Sequence, residues 1–153
     1  MELLRQYDDN IASLWDVSLV LLREHRQDLA PEVFTRCEYV IEENLRVVEA
    51  SEALQNGNYH GFGALMNASH YGLSNKYEVS SPELDPLVYT AQSIDRALGS
   101  LMMGAGFGGC TINLVHAAVL DVFSSAVTAS YRKEFEQETL IYISTIEGGT
   151  SIV

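Results

Sequence analysis

Gly99-Ser100-Leu101-Met102-Met103-Gly104-Ala105-Gly106-Phe107-Gly108-Gly109, followed directly by Cys110-Thr111-Ile112-Asn113-Leu114-Val115, is the stretch on which the reading of this chain turns. Its first eleven residues hold five of the chain's eleven glycines. Apolar and β-branched residues on both sides predict strand, glycine loop, strand. Glycines at alternate positions 104, 106 and 108 reach positive φ without a Cβ penalty. Several N–H groups in such a turn converge on one anion, which is the geometry of a phosphate-cradling nest. A turn that merely joins two strands satisfies the same residues. Gly104, Gly106 and Gly109 fall at G-x-G-x-x-G spacing, but that fingerprint ends a strand and opens a helix. Here β-prone residues follow instead. No Gly-Lys-Ser or Gly-Lys-Thr is present, so a P-loop is excluded.

Upstream of the loop the pattern is helical. Ser18 caps a short helix running to about Asp28, and Pro31 stands where a first helical position tolerates it. From Pro31 to Asn56, Phe34, Cys37, Ile41, Leu45, Val48 and Leu54 follow a 3.6-residue period, with Gly57 placed for a C-cap. A second helix from about Asn58 to Leu73 presents Phe62, Leu65, Met66, Ser69 and Leu73, and is weakened by Gly61, Gly63 and Gly72. At Ser80-Ser81-Pro82-Glu83 two helix starts compete: Ser81 as N-cap before Pro82, or Ser80 in a capping box with Glu83. Either opens a helix carrying Leu84, Leu87, Val88, Ala91 and Ile94. Strands are expected at 98–103 and 111–115, and a helix from Ala117 to Lys133 buries Leu120, Phe123, Val127 and Tyr131. Leu140-Ile141-Tyr142-Ile143 is expected as a strand closing a β-α-β unit. The fold class is therefore α+β, with helices beside a small, mostly antiparallel sheet. At 153 residues with no linker or repeat, residues 1–153 read as one domain.

The formal charge of −12, with only nine scattered Lys and Arg, argues against nucleic acid, whose phosphates need basic neutralisation. No apolar run approaches the ~20 residues that span a bilayer. No signal peptide is visible in Met1-Glu2-Leu3-Leu4-Arg5, so a soluble, cytoplasmic protein with no membrane partner is expected. Cys37 and Cys110 form neither a disulfide framework nor a metal clip and read as inert. His25, His60, His70 and His116 lack metal-ligand spacing, so no metal site is assigned. A hydrogen-bonded structural role is expected for His70. Glu42-Glu43 and Asp8-Asp9 read as solvated surface, Ser124-Ser125 has no partner histidine, and Met102 and Met103 read as strand packing.

The glycine loop resembles the third signature of the GHMP small-molecule kinases in its galactokinase form, R-M-T-G-x-G-F-G-G-C. Leu65-Met66-Asn67-Ala68-Ser69-His70 and Tyr77-Glu78-Val79-Ser80-Ser81-Pro82-Glu83-Leu84-Asp85 are similar to that family's L-M-x-E-S-H and Y-E-V-S-x-P-E-L-D run. Glu43-Asn44-Leu45-Arg46-Val47-Val48-Glu49-Ala50 resembles its E-N-x-R-V-x-x-A helix. The resemblance implies a ferredoxin-like GHMP kinase C-terminal domain. It further implies an ATP- and Mg-dependent sugar kinase that phosphorylates galactose at the anomeric hydroxyl when complete.

In that scheme Gly104, Ala105, Gly106, Phe107, Gly108 and Gly109 lie beside the ATP phosphates. The family's sugar-binding and phosphate-binding signatures and its catalytic Asp are not found in this sequence, so no catalytic residue is assigned and this chain alone is not expected to hold ATP tightly. The implied partner is an N-terminal kinase half, covalent or in trans, with weak self-association through a face around Leu101, Met102, Met103 and Phe107. The alternatives are a stand-alone binding module and an inert fragment. Two departures touch the loop: Leu101 stands where the family carries Arg, and Met103 where it carries Thr. The first removes a fixed charge with five donors.

Overall fold

A computed structural model describes residues 2–145. The elements run α1 (Glu2–Arg5), α2 (Leu19–Glu24), α3 (Pro31–Gln55), α4 (Tyr59–Asn75), α5 (Leu84–Gln92), β1 (Ala97–Met103), β2 (Cys110–Val115) and α6 (Leu120–Phe135), with short 3-10 turns at Leu14–Asp16, Arg26–Asp28 and Ala117–Val119. Helices packed beside a small antiparallel sheet give the expected α+β class.

Local chemistry explains most of the boundaries. Ser18 Oγ accepts the Leu21 N–H at the start of α2, and Pro31 opens α3, where its missing N–H costs nothing. At the far end of α3, Gly57 takes φ 66° and donates to the Leu54 carbonyl, while the Asn58 N–H reaches back to Ala53. Those two bonds form a Schellman cap, which reverses the chain within three residues into the Asn58 cap of α4. Before α5 the competition between two caps resolves in favour of Ser81. Its hydroxyl accepts the Leu84 N–H and its carbonyl the Asp85 N–H, while the Ser80 hydroxyl turns to the Asp85 carboxylate.

Two apolar clusters form the core. Leu4, Ile11, Val17 and Leu22 pack with Phe34 and Ile41 of α3 at one end. Ala91, Phe123 and Val127 pack with Leu87, Ile94, Ala97 and Val115 at the other. The α3–α4 pair spans the region between them. The periodic stripe of α3 is half used, because Phe34 and Ile41 are buried whereas Leu45, Val48 and Leu54 are exposed.

The glycines of α4 play the opposite part to the one expected of them. A Cβ on Gly63 would overlap the Leu98 carbonyl, and one on Gly99 would lie 2.6 Å from Gly63 Cα. A bulge in β1 between Ala97 and Gly99 falls at this point, so helix and strand meet backbone to backbone. Gly72 similarly lies flat against the Tyr39 ring of α3. The buried face of α4 is Gly63, Met66, Ser69, His70 and Gly72, rather than a stripe of large side chains.

Leu140–Ile143 is not a strand, and the β-α-β closure does not form. The sheet holds two strands among the described residues, paired Met103↔Cys110 through Gly99↔Leu114. Strand preference is a fit to a half-buried pleated surface. Leu140, Tyr142 and Ile143 find no such surface, and Tyr142 is 87% exposed.

Gly99→Ala and Gly63→Ala should each destabilise the chain by about 2–3 kcal/mol or more, since backbone cannot retreat as a side chain does. Gly57→Ala, with open space around it but φ 66°, should cost about 1 kcal/mol. Urea midpoints of the three variants test the order.

Candidate functional site

The glycine loop is positioned by the end of α4. Gly72 O accepts the N–H groups of both Lys76 and Tyr77, Glu78 adopts φ 58°, and the Val79 N–H donates to Leu73 O. This turn aims the Val79 carbonyl at the loop, where it accepts the Phe107 N–H at 2.7 Å. A Cβ on Gly106 would collide with that same carbonyl. The Tyr77–Ser80 block and the glycine loop, distant in sequence, are therefore docked through main chain.

Five of the six candidate loop residues have positive φ: Gly104 96°, Gly106 89°, Phe107 60°, Gly108 134° and Gly109 112°. Ala105 sits within this run. A side chain at φ 60° is uncommon, and the bond to Val79 is what holds Phe107 there. Its ring is 77% exposed. Met103 and Ile112 are also exposed and Leu101 is half-buried, but Met102 is buried. The expected apolar face around the loop thus comprises Met103, Phe107 and Ile112, with Met102 turned into the core. Sequence reasoning missed Ile112, although strand alternation from the Thr111 position would have placed it outward. Cys110 is exposed, so only Cys37 is shielded, and burial pushes its thiol pKa up.

Behind the loop lies a polar spine. The Ser100 N–H donates to Asn67 Oδ1 at 2.8 Å and the Met102 N–H to His70 Nδ1 at 3.3 Å. Two residues of α4, three apart, thus take the place of a neighbouring strand for β1. Asn67 Oδ1 also accepts from Gln92 Nε2 of α5, and Ser100 Oγ donates across the ladder to Asn113 Oδ1. With Nδ1 as acceptor, the His70 proton lies on Nε2, 3.2 Å from Asp85 Oδ1 but too oblique for a well-formed hydrogen bond. Asp85 is held by the Ser74 and Ser80 hydroxyls. His70 has no solvent exposure and bonds to backbone, which matches its expected structural role.

The second motif pair meets one layer further out. Glu43 of α3 receives the Ser69 hydroxyl and pairs with Arg46. Burial, then the Glu43 charge, pushes the Tyr39 phenol up to about 12. Glu43 is thus a partner in an interhelical cluster rather than simple solvated surface. Two shallow clefts, one between α3 and α4 near Glu49, Ala53 and Leu65 and one on α6 near Ser125 and Arg132, contain no loop residue. Among the described residues no group of three or more His, Cys, Asp and Glu is placed to hold a metal ion.

Gly106→Ala should destabilise the chain by more than 1 kcal/mol and by more than Gly104→Ala or Gly108→Ala, whose Cβ atoms would enter open space. Equal denaturant midpoints for all three would refute the Val79 clamp. Burial pushes the His70 pKa down, with Asp85 opposing. The unfolded chain therefore binds the extra proton first, so this contribution to stability is full above the ordinary histidine pKa and falls as pH drops below it towards the folded value. Midpoints from pH 7.5 to 5.5 should show a decline that His70→Gln lacks.

Comparison with known proteins places these features in a family. A family model described as GHMP kinases C terminal matches residues 50–133. Galactokinase of Roseiflexus sp. (strain RS-1) is 37% identical over 150 residues, covering 98% of this chain and 38% of that protein. Galactokinase of Canis lupus familiaris is 38% identical over 141 residues, covering 92% and 35%. The structure of Lactococcus lactis galactokinase complexed with galactose superimposes with a TM-score of 0.82 at 35% identity, over 88% of this chain and 35% of that one. The chain spans between 35% and 38% of the length of these three proteins. The matched family region runs from the end of α3 to α6 and contains the Gly63–Gly99 contact, the Val79 clamp and the loop, and on this combined ground the chain belongs to the GHMP kinase C-terminal family, as a galactokinase-like C-terminal domain.

Proposed function

We propose that the chain serves as the C-terminal domain, residues 1–153, of a cytoplasmic sugar kinase. The complete enzyme would transfer the γ-phosphoryl group of ATP to the anomeric hydroxyl of a galactose-type sugar. The observation that carries this reading is the clamped loop from Gly104 to Gly109, whose run of positive φ opens main chain towards a ligand at the tip of the hairpin. The galactose-bound relative supports the substrate class.

The residues present fit ATP as one wall of a site. Gly104, Ala105, Gly106, Gly108 and Gly109 would offer backbone to a phosphate, while the Phe107 amide is spent on Val79 and its exposed ring would face the other half. No Lys or Arg lies between Ala97 and Val115. Charge stabilisation and the ligands for Mg would therefore come from elsewhere. ATP supplies the transferred group. The part of this chain is to hold a rigid wall and exclude water, because phosphoryl transfer depends chiefly on positioning and charge stabilisation.

The partner in this reading is an N-terminal kinase half, joined covalently or in trans. The exposed Met103, Phe107 and Ile112 would meet it. Among the described residues no helix is long and apolar enough to cross a membrane.

The isolated chain should not phosphorylate galactose, whereas a chimera in which it replaces the matching 150 residues of the Roseiflexus galactokinase should do so at about 1 per second or faster. Turnover at that rate by the chain alone, or none by a folded chimera, would refute the assignment.

A further inference from the structure

Of the chain's asparagines only Asn56 is followed by glycine, in Gln55-Asn56-Gly57-Asn58. Such a pair carries its own chemistry. The main-chain nitrogen of the following residue is a nucleophile close to the asparagine side-chain carbonyl, and glycine puts no Cβ in its path. The pair forms the turn between α3 and α4, where Asn56, Gly57 and Asn58 are all exposed, so water reaches it freely. A Cβ on Gly57 would meet nothing within 4 Å, so the turn has room to rearrange. In the closed turn the reaction is locked. Asn56 has ψ 3°, which sets the Gly57 nitrogen in line with the Asn56 nitrogen rather than with Cβ, the side on which a ring must close. The Gly57 N–H is donated to Leu54 O at 3.1 Å, the Asn58 N–H to Ala53 O at 2.8 Å and the Asn56 side-chain amide to Glu52 O at 2.9 Å. All of these bonds lie in the last turn of α3, where little packs over them and Leu54 itself is exposed. Helix ends so held open at far lower free energy than the whole fold.

We propose that Asn56–Gly57 is a self-modification site, gated by fraying of the last turn of α3. When Asn56 rotates about ψ, the Gly57 nitrogen attacks Asn56 Cγ. A C–N bond forms, that nitrogen gives up its proton, and the side-chain amide leaves as ammonia. Water then opens the resulting succinimide at either carbonyl and leaves aspartate or isoaspartate at position 56, with no oxidant or reductant required. The inference stands apart from the sugar-kinase reading, because none of these atoms belongs to the glycine loop. Either product adds one negative charge to a chain of formal charge −12. It does so at the negative end of the α3 dipole, in a shallow cleft already lined by Glu49 and Glu52. A carboxylate has no proton to donate to Glu52 O, so that bond is lost. Isoaspartate also adds a carbon to the main chain between 56 and 57, which throws both cap bonds out of register. The change is one-way, since ammonia is lost, and it loosens the turn that delivers α4 to β1.

Peptide mapping by mass tests this on the full chain held in mildly alkaline buffer, against the same chain unfolded in concentrated urea. The mass gain of an amide-to-acid exchange, and isoaspartate, should both map to position 56. They should accumulate about tenfold or more slowly in the folded chain than in the unfolded one. On warming towards, but below, the melting temperature, the rate should rise in step with amide exchange at Asn58, whose N–H reports the bond to Ala53. Asn56→Gln, whose longer side chain disfavours ring closure, should give neither product at 56. A folded chain that gains no mass at 56 over the time in which the urea-treated chain converts fully overturns the proposal. So does conversion at equal rates in the two, which removes the gate, or conversion confined to another asparagine. Each of these outcomes is read on the unsubstituted chain, so misfolding of the glutamine variant does not affect the decision.

Discussion

A buried backbone N–H without an acceptor costs ~1–3 kcal/mol, and β1 has two on the side away from β2. Asn67 and His70 accept them, and nearly everything else in the fold follows from the need to bring α4 close enough for that. The approach demands glycine at 63 and 99, since any side chain there would hold the helix off the strand. It makes α4 a surrogate third strand on one flank of the hairpin. It also explains why the motif blocks, dispersed through the sequence, come together: Glu43 meets Ser69, His70 approaches Asp85, and Val79 meets Gly106 and Phe107.

Much of this was legible in the sequence where the signal is local. Caps at Ser18, Gly57 and Ser81 act on residues three or four positions away, so spacing alone reveals them. The glycine loop between two β-prone runs was equally plain. What failed depended on partners that spacing does not encode. The periodic stripe of α3 correctly marked an apolar face, but periodicity is silent on whether Leu45, Val48 and Leu54 are covered. Leu140–Ile143 has the composition of a strand without a ladder to join. The glycines of α4 were read by propensity as weakening, whereas tertiary contact turns them into the packing surface. Residues 2–17, with their short helix and 3-10 turn, carry too few periodic positions to announce themselves, although Leu4, Ile11 and Val17 are fully buried.

At the candidate site the loop residues were found, but not the division of labour among them. Phe107 spends its amide on Val79 and displays its ring, so its glycine neighbours and its own backbone do different things. The absence of charge between Ala97 and Val115 is the counterpart of the Arg-to-Leu departure at 101. The hairpin therefore carries no cation of its own.

The glycine contacts differ in how a lineage could escape them. Gly72 faces the ring of Tyr39, so a larger residue at 72 can be accommodated by a smaller one at 39, and the two positions can change together. Gly63 faces the backbone of Leu98 and Gly99, which no substitution can shrink. Positions 63 and 99 are therefore closed to compensation. Leu101, half-buried, and Met103, exposed, stand where the sequence departs from the loop signature it resembles, away from the two closed positions.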